Sequence, residues 1–141
     1  MRWELARLRQ NAFLVRGRAG IDLYADPPGT RLELSELFTS ALGGSAANIA
    51  AAICRLGGSA SLITTVSDDA VGRFIHNQLV RYEIGTQYVA TAGGEARSSL
   101  AVVETRNEDC QSVIYRNGAA DFALTMQNVT GIPYGDFGAL V

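Results

Sequence analysis

The chain reads as an α/β domain built around a doubly wound sheet. Three observations point there. Apolar segments alternate between strand-like and helix-like spacing, and a glycine pair opens a small-residue helix. A β-branched run then leads directly into a carboxylate-capped helix. With 141 residues the chain makes one domain, long enough to bury about two-thirds of its unfolded surface.

Met1 to Gln10 mixes Arg2, Arg7 and Arg9 with Glu4 and lacks an apolar core, so it is not a secretion signal. Ala12 to Val15 is a short apolar run that ends at Arg16-Gly17, a strand leading to a loop. Ile21-Asp22-Leu23-Tyr24 is a second extended piece, stopped by Asp26-Pro27-Pro28-Gly29. Leu32 and Leu34 alternate with charged neighbours and read as a strand before Ser35. A helix is expected from about Ala46 to Leu56, because Ile49, Ala52, Ile53 and Leu56 recur at helical spacing. Gly57-Gly58 ends it.

Ala60 to Val66 is rich in aliphatic and β-branched residues, as a buried parallel strand requires. Ser67-Asp68-Asp69 then sets carboxylates at the positive end of a helix. Val71, Phe74, Ile75, Leu79 and Tyr82 form its apolar face, interrupted by Gln78, and Gly85 is placed as its carboxyl-terminal cap. Ser99 to Glu104 and Ser112 to Arg116 are strand-like and flank Asn107-Glu108-Asp109, a β-hairpin that extends beyond the main sheet. Asp136 to Val141 reads as the beginning of another buried strand at which the chain stops. A truncated chain is therefore expected, with a short edge strand as the alternative.

Composition narrows the function. Hydrophobic residues make up 48% and charged residues 18%, and the net charge is −2. No basic field points to nucleic acid or to an anionic membrane surface, and no apolar run approaches the roughly 20 residues that span a bilayer. Cys54 and Cys110 have no neighbouring Cys or His at metal-ligand spacing. A reduced, cytoplasmic protein without a metal site is expected.

The most informative stretch is Gly43-Gly44-Ser45-Ala46-Ala47-Asn48. Two glycines before a helix leave backbone N–H groups open to close approach, and Asn48 adds a side chain that both donates and accepts. Such a site suits a polyhydroxylated small molecule. His76 falls on the polar side of its helix and is expected to face water. Asp68 and Asp69 diverge on a helix and read as capping rather than as an acid/base pair. Cys54 is expected to pack in the core. Gly17-Arg18-Ala19-Gly20 is not a full dinucleotide fingerprint.

These residues resemble the amino-terminal half of a PfkB-type, ribokinase-like carbohydrate kinase. Gly43 to Ala50 is similar to that family's first signature, and Arg18-Ala19-Gly20-Ile21-Asp22-Leu23 to its amino-terminal strand with a substrate Asp. Thr65 to Gly72 resembles its strand-to-helix stretch, with Ser67 where the signature expects Gly. Gly17 to Tyr24, Leu42 to Ser45 and Tyr115 to Asp121 are similar to members that act on 5-dehydro-2-deoxygluconate in inositol catabolism. The resemblance implies a partial ribokinase-like three-layer sandwich over residues 1–141, with a small β-sheet lid from segments about 21–34 and 97–117.

It also implies roles. Asp22 would grip sugar hydroxyls, the alternative being a loop-capping Asp. Gly43 and Gly44 would let the sugar lie against the backbone, or would simply form a turn. Asn48 would bond a hydroxyl, or satisfy local backbone. Arg116 would pair with the acid group of the substrate, with Arg97 facing the same cleft; a solvated hairpin charge is the alternative. The parent protein would be an ATP-dependent kinase using ATP and Mg²⁺. The family's Gly-Ala-Gly-Asp motif, which supplies base and anion hole, is not in this sequence. No catalytic, cofactor-binding or metal-binding residue is therefore assigned in this chain, which alone would be inactive. The alternatives are a kinase of a neutral sugar or nucleoside, and a non-catalytic sugar-binding or oligomerisation module. A homodimer through the lid, by an apolar face with Val102 and Ile114, is a further expectation.

Overall fold

The computed structural model describes residues 11–141, so the reading of Met1–Gln10 lies outside the described residues. Two four-stranded sheets organise the chain. The first is all parallel and contains β1 (Ala12–Arg16), β4 (Ser59–Ser67), β5 (Val89–Ala92) and β8 (Ala139–Leu140), in the order β5-β4-β1-β8. The second is mixed and contains β2 (Gly20–Asp26), β3 (Leu37–Gly43), β6 (Leu100–Val103) and β7 (Ser112–Tyr115), in the order β3-β2-β6-β7. Helices α1 (Ser45–Arg55) and α2 (Ala70–Arg81) complete the main framework, with a short α3 at Met126–Val129.

The parallel sheet is covered on both sides, which is why β4 is buried from Ala60 to Ser67. Its side chains alternate. Ala60, Leu62 and Val66 pack with Val15 and with the alanines of α1 and Ile75 and Leu79 of α2. On the opposite face, Leu14 and Ile63 pack with Ile132, backed by Leu124, Val129 and Phe137. Ala46, Ala47, Ala50 and Ala51 let α1 approach the sheet closely, because small side chains keep the two backbones near one another.

The helix ends follow local chemistry. Asp69 caps α2, its Oδ1 accepting from the N–H of Val71 and of Gly72, each at 2.9 Å. Gly57, at φ +86°, closes α1, with Gly58 N–H donating to Ile53 O and Gly57 N–H to Cys54 O, each at 3.0 Å.

Four sequence readings are corrected. Gly85 does not cap α2. Glu83 takes the left-handed position at φ 61°, with Ile84 N–H bonded to Leu79 O, while Gly85 packs so closely on β4 that a β carbon would stand 2.5 Å from Ser61 Oγ. Leu32–Leu34 is a 3-10 turn, not a strand, and Leu34 is exposed. The second lid strand is β3, paired with β2 from Leu37 to Gly43; its Thr39-Ser40 centre hides the strand from an apolar pattern. Finally, Val102 and Ile114 do not share a face. Val102 opposes Val113 and Ala101 opposes Ile114, so the two residues project from opposite sides of the sheet. Within Asp136–Val141, Ala139–Leu140 forms β8, paired in parallel with β1.

Candidate functional site

The site forms where the lid sheet leaves the parallel sheet. Directly opposed residues of neighbouring strands point to one face, and the β2–β3 register pairs Gly20 with Gly43 and Asp22 with Ala41. Gly20, Asp22 and Gly43 therefore share a face. A β carbon on Gly43 would overlap the Asp22 carboxylate, standing 2.9 Å from Oδ2 and closer still to Oδ1. The missing side chain is what makes room for that carboxylate.

Asp22 is incompletely satisfied. Tyr24 Oη donates to its Oδ2 at 3.4 Å, whereas Oδ1 is buried without a partner among the described residues. Burial, then the charge and hydrogen bond of Asp22, raise the Tyr24 phenol above its ordinary value. A half-buried carboxylate with one free oxygen is an acceptor in wait of a donor.

Gly44 begins α1 at φ 101°, a left-handed conformation that glycine enters without strain. It packs on Arg18, whose carbonyl accepts from Ala47 N–H at 3.4 Å. Asn48 is exposed on the first turn of α1, and its side-chain amide makes no hydrogen bond to the described residues. The structure thus brings Asp22, Gly43 and Gly44 together and leaves Asn48 one turn along the helix.

The two arginines named from sequence are placed differently. Arg116, one residue beyond β7, donates from Nε to Asp121 Oδ2 at 3.1 Å and from Nη2 to the same oxygen, and its guanidinium lies 4.6 Å from the centre of the Phe122 ring. Arg97 donates from Nη1 to Gly94 O at 3.0 Å and to Ala96 O at 2.9 Å, with its Nε 4.0 Å from Asp69 Oδ2. Arg97 lines a concavity of about 530 Å³ with Leu100, Ile114, Tyr115 and Asn117, but it makes no contact with Arg116 among the polar contacts described. His76 and Asp68 are exposed, and Cys54 is half-buried at the rim of the core.

Two groups escaped the sequence reading. Arg18 donates from Nη1 to Ser99 Oγ at 2.9 Å over Gly20; the signal was a basic residue set between Gly17 and Gly20, just ahead of Asp22. Glu104 is 2% exposed and pins the lid base. Its Oε1 accepts from Leu32 N–H at 2.9 Å, and its Oε2 from Arg106 Nε at 2.7 Å and Gln111 N–H at 3.1 Å. Those donors, Leu32 N–H foremost, hold its pKa down to about 2. No apolar-periodicity signal marks it, because its partners come from loops. Among the described residues no group of three or more His, Cys, Asp or Glu side chains converges to hold a metal ion.

Residues 11–131 match the pfkB family carbohydrate kinase. The chain belongs to that family. Among its pfkB relatives, the 5-dehydro-2-deoxygluconokinase of Photobacterium profundum is 40% identical over 116 residues, covering 82% of this chain and 35% of the relative. That of Geobacillus kaustophilus is 36% identical over 118 residues, covering 83% and 35%. The chain thus spans about a third of the length of these relatives. Among solved structures, a fructokinase from Xylella fastidiosa matches with a TM-score of 0.77 at 25% identity, over 91% of this chain and 39% of that one. A sugar kinase from Pyrococcus horikoshii in complex with ATP matches at 0.75 and 25% identity, over 82% and 37%. The three-layer fold and its lid are ribokinase-like.

Proposed function

We propose that this chain supplies the sugar-binding part of an ATP-dependent carbohydrate kinase, and that its substrate is 5-dehydro-2-deoxygluconate or a similar sugar acid, phosphorylated on a primary hydroxyl. The observation that carries the reading is the free Oδ1 of Asp22 above the Gly43 backbone. A polyol hydroxyl donates to the Asp22 carboxylate, which a side chain at Gly43 would displace. Asn48 then offers its unused amide to a further hydroxyl, and Gly44 lets the ligand approach the start of α1.

The names of the relatives support the acid sugar; a place in inositol catabolism is what the resemblance of the sequence motifs implies. ATP is supported by the complex of the Pyrococcus sugar kinase. The residues of this chain do not fit a nucleotide or Mg²⁺ site: the sequence holds no Gly-Ala-Gly-Asp segment, and no carboxylate cluster converges among the described residues. On this reading the chain binds and orients the acceptor, and phosphoryl transfer needs the family's Gly-Ala-Gly-Asp segment, which this sequence does not hold.

Arg116 and Arg97 are the lid arginines assigned to the acid end, with Arg116 Nη1 still open for a carboxylate oxygen. One observation favours a neutral sugar instead, namely that Asp121 already balances the charge of Arg116. The lid also carries a homodimer surface. Phe38, Val113 and Tyr115 project from the side opposite Asp22 and are exposed.

The test is ATP-dependent phosphorylation by the full-length gene product, offered 5-dehydro-2-deoxygluconate, 2-dehydro-3-deoxygluconate, fructose and ribose. The sugar acids should give the highest kcat/KM. Preference for fructose or ribose would establish the neutral-sugar reading, and binding without phosphorylation would establish the binding module.

A further inference from the structure

The acid end of the substrate needs a cation inside the site, and the two lid arginines assigned to it have much of their donor capacity engaged elsewhere. Arg116 is neutralised by Asp121, and Arg97 is bonded to the carbonyls of its own loop. Arg18 is different. It is half-buried, it makes no ion pair among the described residues, and its one side-chain hydrogen bond is from Nη1 to Ser99 Oγ. A guanidinium carries five N–H donors, so most of this one's donor capacity is unspent.

Its position is fixed by the same glycine pair that seats Asp22. A β carbon on Gly20 would stand 2.6 Å from Ser99 Oγ and 2.9 Å from Arg18 Nη1. Gly20 is the register partner of Gly43, over which Asp22 lies. The two glycines thus form a floor, with a guanidinium over one and a carboxylate over the other. Opposed α carbons in such a pair stand about 4.5–5.5 Å apart. Yet Arg18 and Asp22 are not joined by an ion pair, and Asp22 Oδ1 is left buried and unpartnered.

We infer that Arg18 is a further specificity-determining residue for the acid group of the ligand, beside the lid arginines, binding its carboxylate or adjacent carbonyl oxygen while Asp22 accepts from its hydroxyls. A ligand that presents an anionic or carbonyl oxygen at one end and hydroxyls at the other satisfies both charges at once. A neutral polyol satisfies only Asp22. Ser99, which is 1% exposed, is a positioning residue that aims the guanidinium. The inference rests on the acid-sugar reading above and adds the residue that reads the acid.

The experiment is calorimetric titration of the full-length protein, without ATP, using 5-dehydro-2-deoxygluconate and fructose as the two probes. Arg18→Gln should weaken the acid on the order of 10- to 100-fold, the worth of a charge-assisted hydrogen bond, and leave fructose unchanged. Arg18→Lys, which keeps the charge but not the fork, should fall between. Ser99→Ala should give a smaller loss confined to the acid, and it covers the case in which Arg18→Gln fails to fold. Unchanged acid binding in Arg18→Gln and Ser99→Ala, or equal weakening of both probes, overturns the inference and leaves the acid-sugar reading standing. Wild-type protein that binds fructose and not the acid overturns both.

Discussion

Gly43 lacks a side chain where Asp22 needs the space: the carboxylate of Asp22 lies directly over the Gly43 backbone, and a β carbon there would overlap it. The relationship joins two strands, since Gly43 ends β3 and Asp22 sits in the middle of β2. The proposed ligand site and the strand pairing thus depend on the same missing atoms.

Gly43→Ala is therefore expected to displace Asp22 and weaken 5-dehydro-2-deoxygluconate and fructose together, at least tenfold. Overpacking at such a position costs about 1–3 kcal/mol. Gly20→Ala presses instead on Ser99 and Arg18, and should weaken the acid more than fructose. Titration of the full-length variants with both sugars, alongside thermal melts, checks the pair. Undiminished binding in Gly43→Ala would remove Asp22 from the site.

Glu104 gives the lid base a dependence on acid. Its pKa falls from 4.5 to about 2 on folding, so the folded state favours the ionised form. The stabilisation is complete above pH 4.5 and is lost as the pH falls towards about 2. Protection of the Leu32 and Gln111 amides against hydrogen exchange, taken relative to the intrinsic rate at each pH, should fall over that window in the wild type. In Glu104→Gln the protection should be low already at neutral pH and change little on acidification.

Glu83 occupies a left-handed position that its β carbon disfavours, whereas Gly57 fills the equivalent position after α1. Glu83→Gly should stabilise the protein by about 1 kcal/mol, and Gly57→Ala should destabilise it by a similar amount. Denaturant unfolding measures both. A loss of stability in Glu83→Gly would mean that the glutamate side chain contributes more than its backbone costs.

The two faces of the lid make the proposed dimer testable. Val113→Glu places a charge on the exposed side away from Asp22 and should convert a full-length dimer to monomer in light scattering. Ile114→Glu lies on the Asp22 side and should spare assembly while impairing sugar binding. Dimers that survive Val113→Glu would point to another interface.

Much of this architecture was legible in the chain because its signals are local. The β-branched run of β4, the Asp69 cap and the Gly57-Gly58 stop each act within a few residues, and each appears where expected. Where a signal depended on a distant partner, the reading failed. β3 is a strand because β2 pairs with it along its whole length, not because Thr39 and Ser40 prefer it. Glu83 rather than Gly85 ends α2, because the closeness of Ser61 holds Gly85 to the sheet.

The sequence alone determined the fold class, the start of α2 and the end of α1, since capping and periodicity are properties of neighbouring residues, and its resemblance to the family put forward Asp22, Gly43, Gly44 and Asn48 as candidates. Only the tertiary structure decided that Gly20 and Gly43 form one floor, that Asp121 claims Arg116, and that Arg18 stands over Gly20 with no ion pair among the described residues. Register and charge pairing are set by which strands and loops meet, and residues 81 positions apart, such as Arg18 and Ser99, meet only when the chain has folded.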